Sequence, residues 1–138
     1  MKTKFSILVA AMSIAAVSYG QIKVPANVTT AFSKKFPGAS SVKWSKENAK
    51  EFEAEFKLNN NSVSANFGTD GAWTETETTV NASELPAAVT SAIKTKYPGS
   101  TITLSEKEKM PAKTYYEVVL KTNNKKKELE ISPDGKFM

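Results

Sequence analysis

The residues of this chain best suited to chemistry are glutamates set two apart. Glu53 and Glu55 flank Ala54, Glu75 and Glu77 flank Thr76, and Glu117 sits between Tyr116 and Val118. Residues two apart in an extended strand share a face, so each pair directs its carboxylates the same way. On neighbouring strands the five would form an acidic patch able to take a cation or a basic peptide. The competing expectation is a solvated strand face with Lys43 and Lys57 as neutralising neighbours. Calcium sites usually draw on Asp-rich loops with backbone carbonyls. Here Asp70-Gly71 and Asp134-Gly135 are too sparse for that and read as turns, so no metal ligand and no cofactor is assigned.

Catalysis has little to stand on. The sequence holds no histidine and no cysteine, which removes Ser–His and Cys–His nucleophile pairs, an imidazole base, and thiolate or imidazole metal ligands. Two carboxylates can hydrolyse a glycoside, but they need a deep cleft, which a small sheet under one layer of helices rarely provides. The expectation is a protein that is not an enzyme. All 19 basic residues are lysines, and the net charge is +5. A modest charge spread over a Lys/Glu mixture speaks to solubility. Nucleic acid is not expected, because the chain lacks the arginine forks that grip phosphate and guanine. The one dense basic run, Lys125-Lys126-Lys127, follows Asn123-Asn124 as a hairpin tip would.

Three bulky residues stand near the carboxylates in the sequence. By alternation Trp73 shares a face with Glu75 and Glu77, which cannot both lie in an apolar core. Either Trp73 stands on the open face beside them, or a bulge after Gly71 resets the phase and it packs inward. Tyr115 and Val119 are out of phase with Tyr116, Val118 and Leu120, so they join Glu117 on the open face. A recognition surface, or an edge-strand or inter-repeat contact, would explain them equally.

The elements that must position these residues are legible as changes of period. Val28, Phe32 and Phe36 recur four apart after Pro25, and Val89, Ile93 and Tyr97 do so after Pro86, predicting two short amphipathic helices stopped by Pro-Gly. Ser83 is the expected N-cap of the second. After each helix the period becomes two. Val42 and Trp44, then Phe52, Ala54, Phe56 and Leu58, then Val63, Ala65 and Phe67 form one apolar face, with Lys43, Ser45, Glu53, Glu55, Lys57, Ser64 and Asn66 on the other. Ile102 and Leu104, Tyr116, Val118 and Leu120, and Leu129 and Ile131 repeat the apolar face. Asn59-Asn60-Asn61, Asn123-Asn124 and the Asp-Gly pairs supply the turns.

The marks pair in order: Val24-Pro25 with Leu85-Pro86, Lys35-Phe36-Pro37-Gly38 with Lys96-Tyr97-Pro98-Gly99, Phe52-Glu53 with Tyr116-Glu117, Asp70-Gly71 with Asp134-Gly135. The chain therefore reads as a tandem repeat, residues 24–80 and 84–138. The expected class is α+β: each repeat a helix plus about four strands in an antiparallel meander, the helices covering one face of a curved sheet. Half the chain alone would bury too little surface, so 21–138 is expected to form one domain. Ahead of it, basic Met1-Lys2-Thr3-Lys4, apolar Phe5 to Val17, and small Ser18 and Gly20 read as a signal peptide ending at residue 20. It is too short for a stable span, which wants ~20 apolar residues. A periplasmic or secreted protein without stable membrane insertion is the expectation.

The pattern Lys-Phe-Pro-Gly-Ala, Val42-Lys43-Trp44, Phe52-Glu53-Ala54-Glu55-Phe56, Trp73-Thr74-Glu75-Thr76-Glu77 and Tyr116-Glu117-Val118 resembles the PepSY-like family of periplasmic proteins, itself similar to β-lactamase inhibitory protein. The resemblance runs from about Val24 to Phe137. It implies two helix-plus-sheet repeats joined into one longer sheet, and binding or inhibition of a peptidase or other hydrolase. The sequence departs from the inhibitor in lacking disulfides and in placing no aromatic on the open face of the first repeat. The resulting expectation is a non-enzymatic module that binds a periplasmic protein or peptide through Trp73, Glu75, Glu77, Tyr115, Glu117, Val119, Glu53 and Glu55. The alternative is a carrier of a small ligand, a cation or a basic peptide on the same glutamates.

Overall fold

The computed structural model describes residues 22–138; the expected leader lies outside the described residues. Two ten-residue helices, α1 (Ala26–Lys35) and α2 (Ala87–Lys96), each begin directly after a proline. Pro25 and Pro86 have no N–H to satisfy, and their carbonyls accept the first helical hydrogen bonds, from Val28 and Thr29 and from Val89 and Thr90. Ser83 is not the N-cap expected of it. It sits in a 3₁₀ turn, Ala82–Glu84, where the Glu84 carboxylate accepts the Asn81 N–H at 2.7 Å. Leu85, held extended (φ −65, ψ 142) by the proline that follows it, then separates this turn from the helix, which starts at Ala87.

Seven antiparallel strands form one sheet in chain order. They are β1 (Ser40–Lys46), β2 (Glu51–Leu58), β3 (Asn61–Gly68), β4 (Trp73–Thr79), β5 (Thr101–Met110), β6 (Lys113–Thr122) and β7 (Lys125–Ile131). The architecture is α+β, as expected. The second half carries three strands, not about four, and what would be its fourth is reduced to a single bridge between Ile131 and Phe137. Asn59-Asn60 (φ 50 and 66) and Asn123-Asn124 (φ 48 and 63) close two-residue hairpins, whose left-handed pair of residues matches strand twist and suits asparagine.

Both helices lie on one side of the sheet, each over its own apolar cluster. Under α1 are Val28, Phe32, Phe52, Ala54, Phe56, Val63, Ala65 and Phe67. Under α2 are Leu85, Val89, Ile93, Tyr116, Val118, Leu120, Leu129 and Ile131. Between the clusters the helix side turns polar, with Thr76 paired to Lys109 and Thr78 to Lys107 where β4 meets β5. That junction joins the two halves.

One apolar residue leaves the face that alternation gives it, and another is left half out of the core. A register irregularity between Ile102 and Leu104 pairs Leu104 with Val119, moving it to the side opposite Ile102, which stays against the α2 cluster. A similar irregularity between Ser40 and Lys43, with Ser41 at φ 54, leaves Val42 37% exposed on the edge strand. In both places an extra residue resets the period of two.

Candidate functional site

The uncovered face of the sheet can be read across its registers. One row runs Lys43, Glu55, Ser64, Glu77, Glu108 and Tyr115 from β1 to β6. A flanking row holds Ser45, Glu53, Asn66 and Glu75, and the other holds Thr79, Glu106, Glu117 and Glu130. A groove of about 420 Å³ opens on this face, lined by Lys43, Glu53, Glu55, Lys57, Glu77 and Glu106 among others.

The centre of this face is the β4–β5 junction. Glu75 and Glu77 from β4 and Glu108 from β5 bring carboxylate oxygens within 4.8 Å of one another. Glu108 is 1% exposed and Glu117, across from Glu106 on β6, is 3% exposed. One oxygen of each, Oε2 of Glu108 and Oε1 of Glu117, is buried with no hydrogen-bond partner. No lysine neutralises them: the ion pair found among the described residues joins Lys136 to Asp134 at 2.7 Å, in a turn after β7. Lys57, an expected neutralising neighbour, donates to Ser62 Oγ.

Burial and mutual repulsion push these acids toward the neutral form. The Glu108 carboxyl is raised to about 9, first by burial and then by Glu77, Glu75, Glu117 and Glu106. Burial, then Glu75 and Glu106, raises Glu77 to about 7. Glu117 is raised by burial and by Glu128 beside it. Glu75, Glu53 and Glu106 are shifted upward as well, each chiefly by loss of water.

The residues expected to form the site are sorted by this geometry. Trp73 leaves it. Between Asn66 and Phe67 the pairing slips, Trp73 falls opposite Phe67, and the indole packs against the α1 cluster. Its Nε1–H is shared by the Glu75 carbonyl at 2.7 Å and Thr76 Oγ1 at 2.8 Å, and the Lys35 ammonium lies 3.6 Å from the ring centroid. Tyr115 and Glu117 do face away from the helices, but at 5% and 3% exposure they are floor and not a presented surface. Val119 is half-buried beside Leu104 and Glu128. Glu53, Glu55, Glu75 and Glu77 remain reachable from solvent.

Glu106 and Glu108 are absent from the expected set, yet Glu108 is the most buried acid of the face. Their signal is present in the sequence: Glu106-Lys107-Glu108-Lys109 alternates sign with a period of two, which puts both glutamates on one face of a strand. The apolar pair Ile102 and Leu104 draws attention to the start of β5, and the charged end resembles a loop.

An α+β chain with two helices on one side of an antiparallel sheet and a charged, uncovered other side fits a known class. The model of the family described as "Putative beta-lactamase-inhibitor-like, PepSY-like" matches residues 50–138, more than half of the chain, and the protein belongs to that family. Solved Bacteroides structures share the fold. A BLIP-like protein from Bacteroides fragilis NCTC 9343 has a TM-score of 0.77 at 23% identity, over 86% of each chain. A DUF2874 family protein from Bacteroides uniformis ATCC 8492 gives 0.78 at 24%, over 84% of this chain and 87% of that one. A protein described as "putative periplasmic", from Bacteroides eggerthii DSM 20697, gives 0.77 at 21%, over 84% and 86%. No curated protein matches the chain.

Proposed function

We propose that this protein is a non-enzymatic, exported binding module whose uncovered sheet face docks a periplasmic protein or peptide, a peptidase or another hydrolase being the partner class. The carrying observation is that both helices and both apolar clusters lie on the other side. That leaves a groove edged by Glu53, Glu55, Lys43 and Lys57, with half-buried Leu104 and Val119 further along the face. Apolar contacts bordered by charges are what a protein interface uses for affinity and register. Membership of a beta-lactamase-inhibitor-like family supports the same reading, and a neighbour described as periplasmic supports the compartment. Among the described residues no helix is long and apolar enough to cross a membrane.

We also infer that the scaffold is a tandem repeat. Lys35 caps the Trp73 ring as Lys96 caps Phe137, at 3.6 and 4.1 Å. The Asp-Gly turns press on the first turns of their helices alike, Gly71 against Asn27 and Gly135 against Ala88.

The test is inhibition and affinity capture by residues 21–138, against purified β-lactamases and envelope peptidases. Glu53→Lys and Glu55→Lys, which reverse groove charges without touching the core, should abolish capture while unfolding remains cooperative. Capture unchanged by both would refute docking on this face.

A further inference from the structure

We propose that Glu75, Glu77 and Glu108 form a binding site for a hard divalent cation at the junction between the two halves of the sheet. Three carboxylates converge there within 4.8 Å. Acidic clusters on protein surfaces commonly hold nothing, because water and lysines neutralise them. Here neither does. Glu108 is 1% exposed and its Oε2 has no partner. Glu117, outside the triad, is 3% exposed, repels Glu108, and carries a second orphan oxygen. A buried polar group left without a partner is costly, more so when charged, so these orphan oxygens call for a proton or a counter-charge.

The burial also selects its size. A lysine or arginine from a docked peptide would have to carry its stem past Glu75 and Glu77 to reach Glu108. A bare ion needs only the space between carboxylates. Three carboxyls, an all-oxygen set that becomes anionic as a bound ion displaces its protons, suit calcium, magnesium or manganese, and the lack of thiolate and imidazole at the site disfavours zinc and copper. β4 supplies two ligands and β5 the third, so neither half contains the site alone. The cation would clasp the junction where the helix side offers only polar pairs such as Thr76 with Lys109. The proposal stands apart from partner docking, which is tested on Glu53 and Glu55.

The experiment titrates calcium, magnesium and manganese chlorides into chelator-treated protein at mildly alkaline pH, by calorimetry and thermal unfolding. Residues 21–138 are compared with Glu77→Gln, Glu108→Gln and Glu55→Gln. Expected is a saturable rise in Tm and one-site heat in the wild type and Glu55→Gln, with affinity lost about tenfold or more in the other two. Glu108→Gln keeps the shape and removes repulsion, so it should fold at least as well without metal; its failure to respond would not reflect misfolding. No response to any of the three at millimolar concentration overturns the site. So does a response undiminished in Glu108→Gln, or stabilisation by an oligolysine peptide alone.

Discussion

On the helix side of β3, Phe67 is fully buried with the rings of Phe32, Trp44 and Phe36 at 6.2, 6.3 and 6.4 Å. On the opposite side, two strands away, Glu108 is equally out of water, yet it meets Glu75, Glu77 and an orphan oxygen of its own. Burial stabilises the first residue and destabilises the second. Aromatic carbon removed from water gains on the order of 25 cal/mol per Å², whereas a carboxylate must find a proton, a donor or a cation. A family fold can keep such a cost where the groups serve binding. The pairing of a dry, satisfied face with a buried, unsatisfied one thus separates scaffold from site.

The comparison can be broken most severely at Phe67. Phe67→Ala should cost ~3–5 kcal/mol in chemical denaturation, and a loss below ~1 kcal/mol would mean that the aromatic cluster is looser than described. Gly135→Ala comes next. Gly135 has φ +84, and a Cβ there would lie 2.6 Å from the Ala88 carbonyl oxygen, so a loss of ~1–3 kcal/mol is expected. Removing the unsatisfied charge should act in the opposite direction. Glu108→Gln should raise metal-free stability at alkaline pH by ~2 kcal/mol; a loss of that size would show that its carboxylate is a satisfied structural group.

The pH dependence follows from the same acid. Its carboxyl is raised from 4.5 to about 9 in the fold, so between those values the folded state holds a proton that the unfolded state has released. Stability of the metal-free protein should fall as pH rises through that window and level off above it. Glu108→Gln should flatten much of the slope in pH-dependent thermal melts. The smallest effect belongs to the edge: Val42, 37% exposed on β1, should tolerate Thr within about 0.5 kcal/mol.

The scaffold was legible because its signals are local. Val28, Phe32 and Phe36, or Phe52, Ala54 and Phe56, declare their periods within a few residues, and Asn59-Asn60 declares its turn. What alternation could not deliver was phase across irregularities. One extra residue after Ile102 sends Leu104 to the other face, and a slip at Phe67 resolves the choice for Trp73 inward. Nor could it deliver depth. Alternation puts Glu117 on the open face, but its burial depends on neighbouring strands that sequence periodicity does not report. The burial of Glu108 carries no signal in the sequence either, because Glu-Lys alternation looks solvated until β4 and β6 close around it.

Glu108 at the β4–β5 junction and Glu117 on the neighbouring strand are buried, each with an oxygen that has no partner. The direct measurement is a ¹³C-detected NMR titration of the glutamate side-chain carboxyls in chelator-treated protein. Glu108 should titrate near 9 and Glu77 near 7, with the midpoint of Glu117 also raised. Midpoints for all three at the ordinary glutamate value, ~4.3, would contradict it.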